Sequence, residues 1–596
     1  MPDYKNPQQD PGAERRLLLV FVLTFVVLVV SQPLIRKYLP QSAQQHQQQQ
    51  EQQQHQPVPE QNSSPAAVSA PSTPARTPSP AVTKQASNET ENVIENDLYR
   101  ITFTNRGAQV KSWILKKFDN DAQNGLLDLV NSAGALKYGY PLSLWTYDEA
   151  LRNRLNSALY VVSGDGHLSA PASITFEYSD QDLVVHKTFS FDHTYVLAVE
   201  TSVVYKGAPI FAPPAWPAGF GDQANAASYA ASRIEHHNDA STDRSGYVFF
   251  PNYVTRLSVK SISGDNTLKG PFEWAGTDDQ YFSAIFIPDV PADAAMVTLR
   301  KPMEITQKTT FNAKENANVD LLGAAVGDLH GPTVERMFVG PKELAVLDAV
   351  HVPTIHNDNP DLRGIVDYGW WGILARPLFL WLKWTYNHIV HNWGTAIVLQ
   401  TLIITIALLP LRITQMKSML KMQRVQPQIK SIQEKYKKYS LRDPRKAAMN
   451  EEVAAVYKRE GVNPAGGCLP TLIQMPFLIA YYKMLGVAIE LRHAHWLWIS
   501  DLSAADWVLP ILMVVSMVVV QRMTPQAGMD PAQQKMMTVM MPLMMGFIFF
   551  RLPAGLNLYY TESNLISIAQ QAIMNRTRLG REMREMLEKR ARKKEK

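Results

Sequence analysis

In the last third of this chain, polar residues recur at helical spacing inside segments that are otherwise apolar. Thr401 and Thr405 stand four apart, and Gln474 and Tyr481 seven apart. Asn557, Tyr560 and Asn564 follow at i, i+3 and i+7, with Tyr559 beside them. Such spacings put each set on one helix face. Groups of these types make and break no covalent bonds; they offer hydrogen bonds to a polar guest where hydrocarbon offers none. The plain alternative is that the threonines bond back to their own carbonyls and the amides only pack helix on helix. Two ionisable residues, Lys483 and Glu562, stand in the same apolar surroundings. At ~1.5 Å of rise per residue they reach similar depths in a ~30 Å core, which predicts that they pair, directly or through water. Against this, Lys483 lies ~180° around its helix from Gln474 and could run outward to the interface instead.

Other chemistry is poorly provided for. No G-x-x-x-x-G-K-[ST] phosphate loop occurs, and the single cysteine, Cys468, excludes a disulfide framework or a multi-cysteine metal site. His236 and His237 adjoin Glu235 and Asp239, but neighbours on a strand point to opposite faces, so the group reads as surface polarity. Neither a metal nor a cofactor is expected.

The elements that must position these residues follow from composition. At 596 residues the chain is too long for one core, and its 19% of charged residues falls below the ~25% usual in soluble domains. A net charge of +5 does not suggest a nucleic-acid surface. After a short cytoplasmic stretch, 1–16, the apolar run within 17–39 follows Arg15 and Arg16; it reads as an uncleaved anchor, a cleaved signal peptide being the alternative. The Gln/Pro/Ser-rich residues 40–91 read as a flexible tether. Residues 92–340 alternate with period two between turn residues and predict an all-β sandwich. In the connector 341–394, Trp370, Trp371, Trp381, Trp384 and Trp393 predict an amphipathic helix on the membrane face, or else one buried against the sandwich.

Five further spans are predicted, at 395–411 and, within 463–575, at 469–487, 507–520, 536–550 and 554–573. The Met-rich fourth of these, with Met536, Met537, Met540, Met541, Met544 and Met545, suits varied apolar partners or simple core filling. Residues 412–462 form a basic helical hairpin, its second helix started by Asp443 and ended by Gly461, and 576–596 form a basic tail. Placing both basic segments in the cytoplasm puts both chain ends there and the sandwich outside. The fold class is thus a membrane α-helical bundle, one anchor plus a five-helix core, with an all-β sandwich outside the membrane.

The residues then match more than a pattern. NPAGGCLPTLIQMPFLIAYY (463–482), DPAQQKMMTVMMP (530–542), LPAGLNLYYTESNLISIAQQ (552–571) and VDYGWWGILARPLFLWLKW (366–384) resemble the YidC membrane protein insertase family. The resemblance implies a multi-pass protein of the Gram-negative inner membrane, with a polar groove open to lipid and cytoplasm. It implies insertion of nascent inner-membrane proteins without ATP, alone or beside the Sec translocon, with ribosome and lipid contacts at the basic segments. Thr401 aligns with a substrate-contacting threonine of the family, and Tyr559 and Tyr560 with its paired tyrosines. The family's groove arginine, however, aligns with Thr405, and no charge follows before Arg412. Two rivals remain: a transporter would want inverted repeats, which are not seen, and a sugar-active sandwich enzyme would want an acid–base pair, for which no residues stand out.

Overall fold

The computed structural model describes residues 83–577, apart from 165, 239–253, 308–314, 351–360, 437–438, 440–442, 444, 462–468 and 524–535, together with residue 581. The expected anchor, nearly all of the tether, Asp239, Cys468 and most of the basic tail lie outside the described residues.

Alternation builds the sandwich. Leu183–Phe191 (β1) buries every second residue, and Val196–Tyr205 (β2) pairs with it antiparallel, from Leu197 opposite Phe191 to Tyr205 opposite Leu183. Later strands are Arg233–His237 (β3), Val254–Ser258 (β4), Trp274–Asp278 (β5), Phe282–Pro288 (β6), Ala294–Gln307 (β7), Glu315–Asp328 (β8) and Thr333–Pro341 (β9). One large sheet runs β4-β3-β5-β6-β9-β2-β1 and continues through Ala172–Ser179 to Val161–Ser163. A five-stranded sheet holds the long β7–β8 hairpin, and another is built on Glu91–Glu95, Tyr99–Thr104 and Gln109–Asp119. Across the layers Phe103 stacks on Phe189 at 5.2 Å, and Met296 and Val326 join Ile285 in one core.

Polar groups inside this domain are tied down. Lys187 is fully buried and its ammonium donates to the carbonyls of Gly107, Ala108 and Leu142 at 3.0, 2.6 and 2.6 Å. His236 and His237, expected at the surface, are buried instead, because β3 lies between β4 and β5 with both faces covered. His237 pairs with Glu273, and His236 sits edge-on to Phe272. Beside them Glu235 and Asp278 are enclosed with Lys342, whose ammonium donates to Asp278 and to the Asp279 carbonyl. Arg256 donates to Glu235 and to the Gly364 carbonyl, and Arg233 to Asp367 at 2.6 Å. This buried charge cluster therefore fastens the connector at 364–367 to the sandwich.

Among the described residues eight helices follow: Gly372–His388 (α1), Trp393–Ala407 (α2), Leu409–Lys435 (α3), Arg445–Arg459 (α4), Leu469–Val487 (α5), Val508–Met523 (α6), Met541–Phe549 (α7) and Ala554–Arg576 (α8). Among the described residues no single helix is long and apolar enough to cross a membrane; α1 and α2 reach that length and composition only together, bent by 120°. Helix α1 buries Ala375, Leu378, Phe379 and Leu382 against the other helices, while Ile373, Leu380 and Trp384 form an exposed stripe on its other side. Its buried face thus meets α2 and α5 rather than the sandwich. Helices α3 and α4 form the expected hairpin around Val425, Ile429 and Val456. Asp443 accepts the Arg445 amide at 2.9 Å, and Gly461 turns the chain with φ +60°, as a helix start and stop require.

Buried polar contacts join sandwich and helices. Arg492, with its side chain 3% exposed, donates to the Asp119 carbonyl at 2.8 Å and to the carboxylates of Asp121 and Asp222. Its guanidinium also lies over the rings of Tyr281 and Phe282. Gln280 donates to the Gly486 carbonyl at 2.9 Å. Lys383 on α1 bridges Glu343 at 3.2 Å and Glu490 at 3.0 Å.

Candidate functional site

The α2 sequence TAIVLQTLIITIA is apolar around a lone amide, Gln400, which is completely buried. Its Nε2 donates to the Leu378 carbonyl of α1 at 3.0 Å, and its Oε1 accepts the Tyr481 hydroxyl of α5. Tyr481 stacks on Tyr559 of α8, ring centroids 4.3 Å apart. One amide and two rings therefore lock four helices at a common point. Replacing Gln400 by leucine takes the acceptor from the buried Tyr481 hydroxyl, and is expected to cost about 2 kcal/mol. A lowered thermal midpoint in detergent checks this; an unchanged midpoint would remove Gln400 from that role.

Beside this lock, Tyr481 and Glu562 both reach the Thr401 hydroxyl. Thr401 itself donates to the Ile397 carbonyl at 2.7 Å, and Thr405 to the Thr401 carbonyl at 2.7 Å. Both threonines thus make the plain back-bonds open to them. Thr401, Tyr481, Tyr559 and Glu562 are brought together. The other stripe faces elsewhere: Asn557 is enclosed and donates to the Phe549 carbonyl at 3.0 Å, and Tyr560 packs against Phe549. Asn564 donates to Ser516 of α6 at 3.1 Å. The side chain of Gln474 and those of Met536 and Met537 lie outside the described residues.

Lys483 and Glu562 form no direct ion pair, so the outward course open to Lys483 is the one that fits. Helix geometry gives the reason: Tyr481 points into the bundle, and two residues further on the helix has turned by ~200°, carrying Lys483 away. Arg412, in turn, is not outside the bundle. It stands seven residues after Thr405 and donates to Ser567 of α8 at 2.6 Å. Sequence reasoning missed Gln400 and Arg412 as parts of the site, although a lone amide in an apolar run was the available signal.

Residues 91–381 match the family described as YidC periplasmic domain, and residues 384–581 that described as 60Kd inner membrane protein. The membrane protein insertase YidC of Geobacter sulfurreducens is 32% identical over 493 residues, covering 80% of this chain and 85% of that protein. This chain belongs to the YidC family. The membrane protein insertase YidC of Syntrophus aciditrophicus is 30% identical over 605 residues, covering 94% of this chain and 99% of that protein. A crystal structure of active YidC insertase with the first transmembrane domain resolved is 19% identical, with a TM-score of 0.34, over 83% of this chain and 94% of that one. The matches span both the sandwich and the helical core.

Proposed function

We propose that this chain is an inner-membrane insertase and folding helper for nascent membrane proteins. In this reading α2, α5, α6, α7 and α8 span the bilayer, the sandwich lies in the periplasm, and the α3–α4 hairpin and both chain ends are cytoplasmic. The groups around Thr401, Tyr481, Tyr559 and Glu562 are the wall of a polar groove. A polar stretch entering it exchanges water for protein hydrogen bonds instead of bare hydrocarbon, where each unsatisfied group costs several kcal/mol. The apolar part of the substrate then leaves sideways into lipid, and no ATP is consumed. Larger substrates are handled beside the Sec translocon, and the basic hairpin and tail meet the ribosome or anionic headgroups.

The observation that carries the reading is a polar cluster enclosed by helices whose outer faces are apolar and open. Ile406, Val515, Leu543, Phe547 and Leu565 are each more than half exposed, a surface that suits lipid and not water. Its test is insertion of a short single-span substrate into liposomes holding only this purified chain. Protease protection of the translocated end above that in empty liposomes is the expected result. Background protection with folded protein would refute autonomous insertion.

A further inference from the structure

Glu562 is an acidic group that no cation among the described residues answers. Its side chain stands on α8 beside Tyr481 and within reach of the Thr401 hydroxyl. Thr401 has one proton, and the Ile397 carbonyl takes it at 2.7 Å. Tyr481 gives its own proton to Gln400. Glu562 Oε2 is buried and has no hydrogen-bond partner among the described residues. No lysine or arginine among them forms an ion pair with it: Lys483 points away, and Arg412 is engaged by Ser567, ~7.5 Å further along α8. At the position where the resemblance would have put a groove arginine, Thr405 presents no charge, and its hydroxyl is turned back to its own helix. The polar pocket between α2, α5 and α8 therefore holds an acidic group and, among the described residues, no cation paired with it.

A lone carboxylate in low-dielectric surroundings costs free energy, and the cost falls when a cation comes to it. We propose that Glu562 is a specificity-determining residue that receives a lysine or arginine side chain of the segment being inserted. A basic residue is the class of side chain that hydrocarbon admits least readily. A half-buried carboxylate part-way along its path gives it one intermediate resting place. An acidic residue at the same point gains no such partner. The inference rests on the insertase reading above.

The test uses liposomes of zwitterionic lipid, without membrane potential, containing the full chain. Three substrates share one apolar span and differ at one tail position, which holds lysine, glutamine or glutamate. Protease protection is read as the lysine-to-glutamate ratio within each preparation, so the amount of folded protein cancels. With the wild-type chain the ratio is expected to exceed that of Glu562→Gln by roughly fivefold, the factor that ~1 kcal/mol between partly buried charges produces. Glu562→Asp should keep the direction of the preference. A second readout needs no variant: dicyclohexylcarbodiimide should join the tail lysine to Glu562 as an amide, located by mass spectrometry. Equal ratios in the wild type and Glu562→Gln, or a lysine that links only to other carboxylates, would overturn the inference while glutamine-tail insertion leaves the insertase reading standing. Failure of all three tails with the wild type would bring down both.

Discussion

Replacing Arg492 by methionine is expected to cost about 3–5 kcal/mol of stability, the loss typical when one partner of a buried ion pair is removed. Arg492 is almost wholly enclosed, and Asp222, 7% exposed, is its main partner. Without the guanidinium, the Asp222 carboxylate remains buried beside Asp121 with no cation to answer it. The acid dependence adds a second check. Burial raises the Asp222 carboxyl from its ordinary 3.8 to about 6, outweighing the attraction of Arg492. A carboxyl raised in the folded state contributes stability that is complete below its unfolded value, near 4, and is lost as pH rises through about 6. Removing Arg492 pushes the carboxyl higher still, so protonation rescues the variant more than the wild type. The deficit of Arg492→Met should be smaller at pH 5 than at pH 8 in thermal unfolding of the detergent-solubilised chain. A deficit independent of pH would show that Asp222 is not the charge left behind.

The second large effect is expected at Lys342. Lys342→Met strips the cation from Asp278, which is 2% exposed, while Glu235 stands completely buried close by. Burial pushes the Glu235 carboxyl well above the usual carboxylate range, and the neighbouring Asp278 adds to the rise. Two carboxyl groups facing each other without Lys342 should cost about 3–5 kcal/mol. The double variant Lys342→Met, Asp278→Asn removes the orphaned charge and should recover part of that loss, since deleting both partners costs less than deleting one. Simple additivity of the two single losses would sink the idea that this pair is coupled.

Much of this architecture was legible because period decides burial. HKTFSFDHTYVLAVETSVVY alternates, and its two halves pair as β1 and β2 in register. The hairpin was legible from Asp443 and Gly461, which are local signals for helix ends. The buried charges were not, because alternation says that a residue faces inward but not what meets it there. Asp278 and Lys342 are 64 residues apart, and Arg492 and Asp222 270. His236 and His237 were misjudged for the same reason: polarity suggested the surface, while a central strand has none. In the helical core, helix spacing put Tyr481 and Lys483 on different faces, and that geometry defeats the pairing which depth alone suggested.

The polar ties at Lys383 and Arg492 also bear on how such chains can be recombined. Lys383 holds the first residues after the sandwich, at Glu343, and the loop after α5, at Glu490, while Arg492 reaches back to Asp121 and Asp222. Four stretches far apart in the gene thus share two cations. A chimera that takes its sandwich from a relative lacking either aspartate acquires an enclosed arginine with too little to hold. Exchange by modules is therefore open only to donors that bring the matching acids with them, and domain-swapped versions should be chosen by those few positions before overall identity is considered.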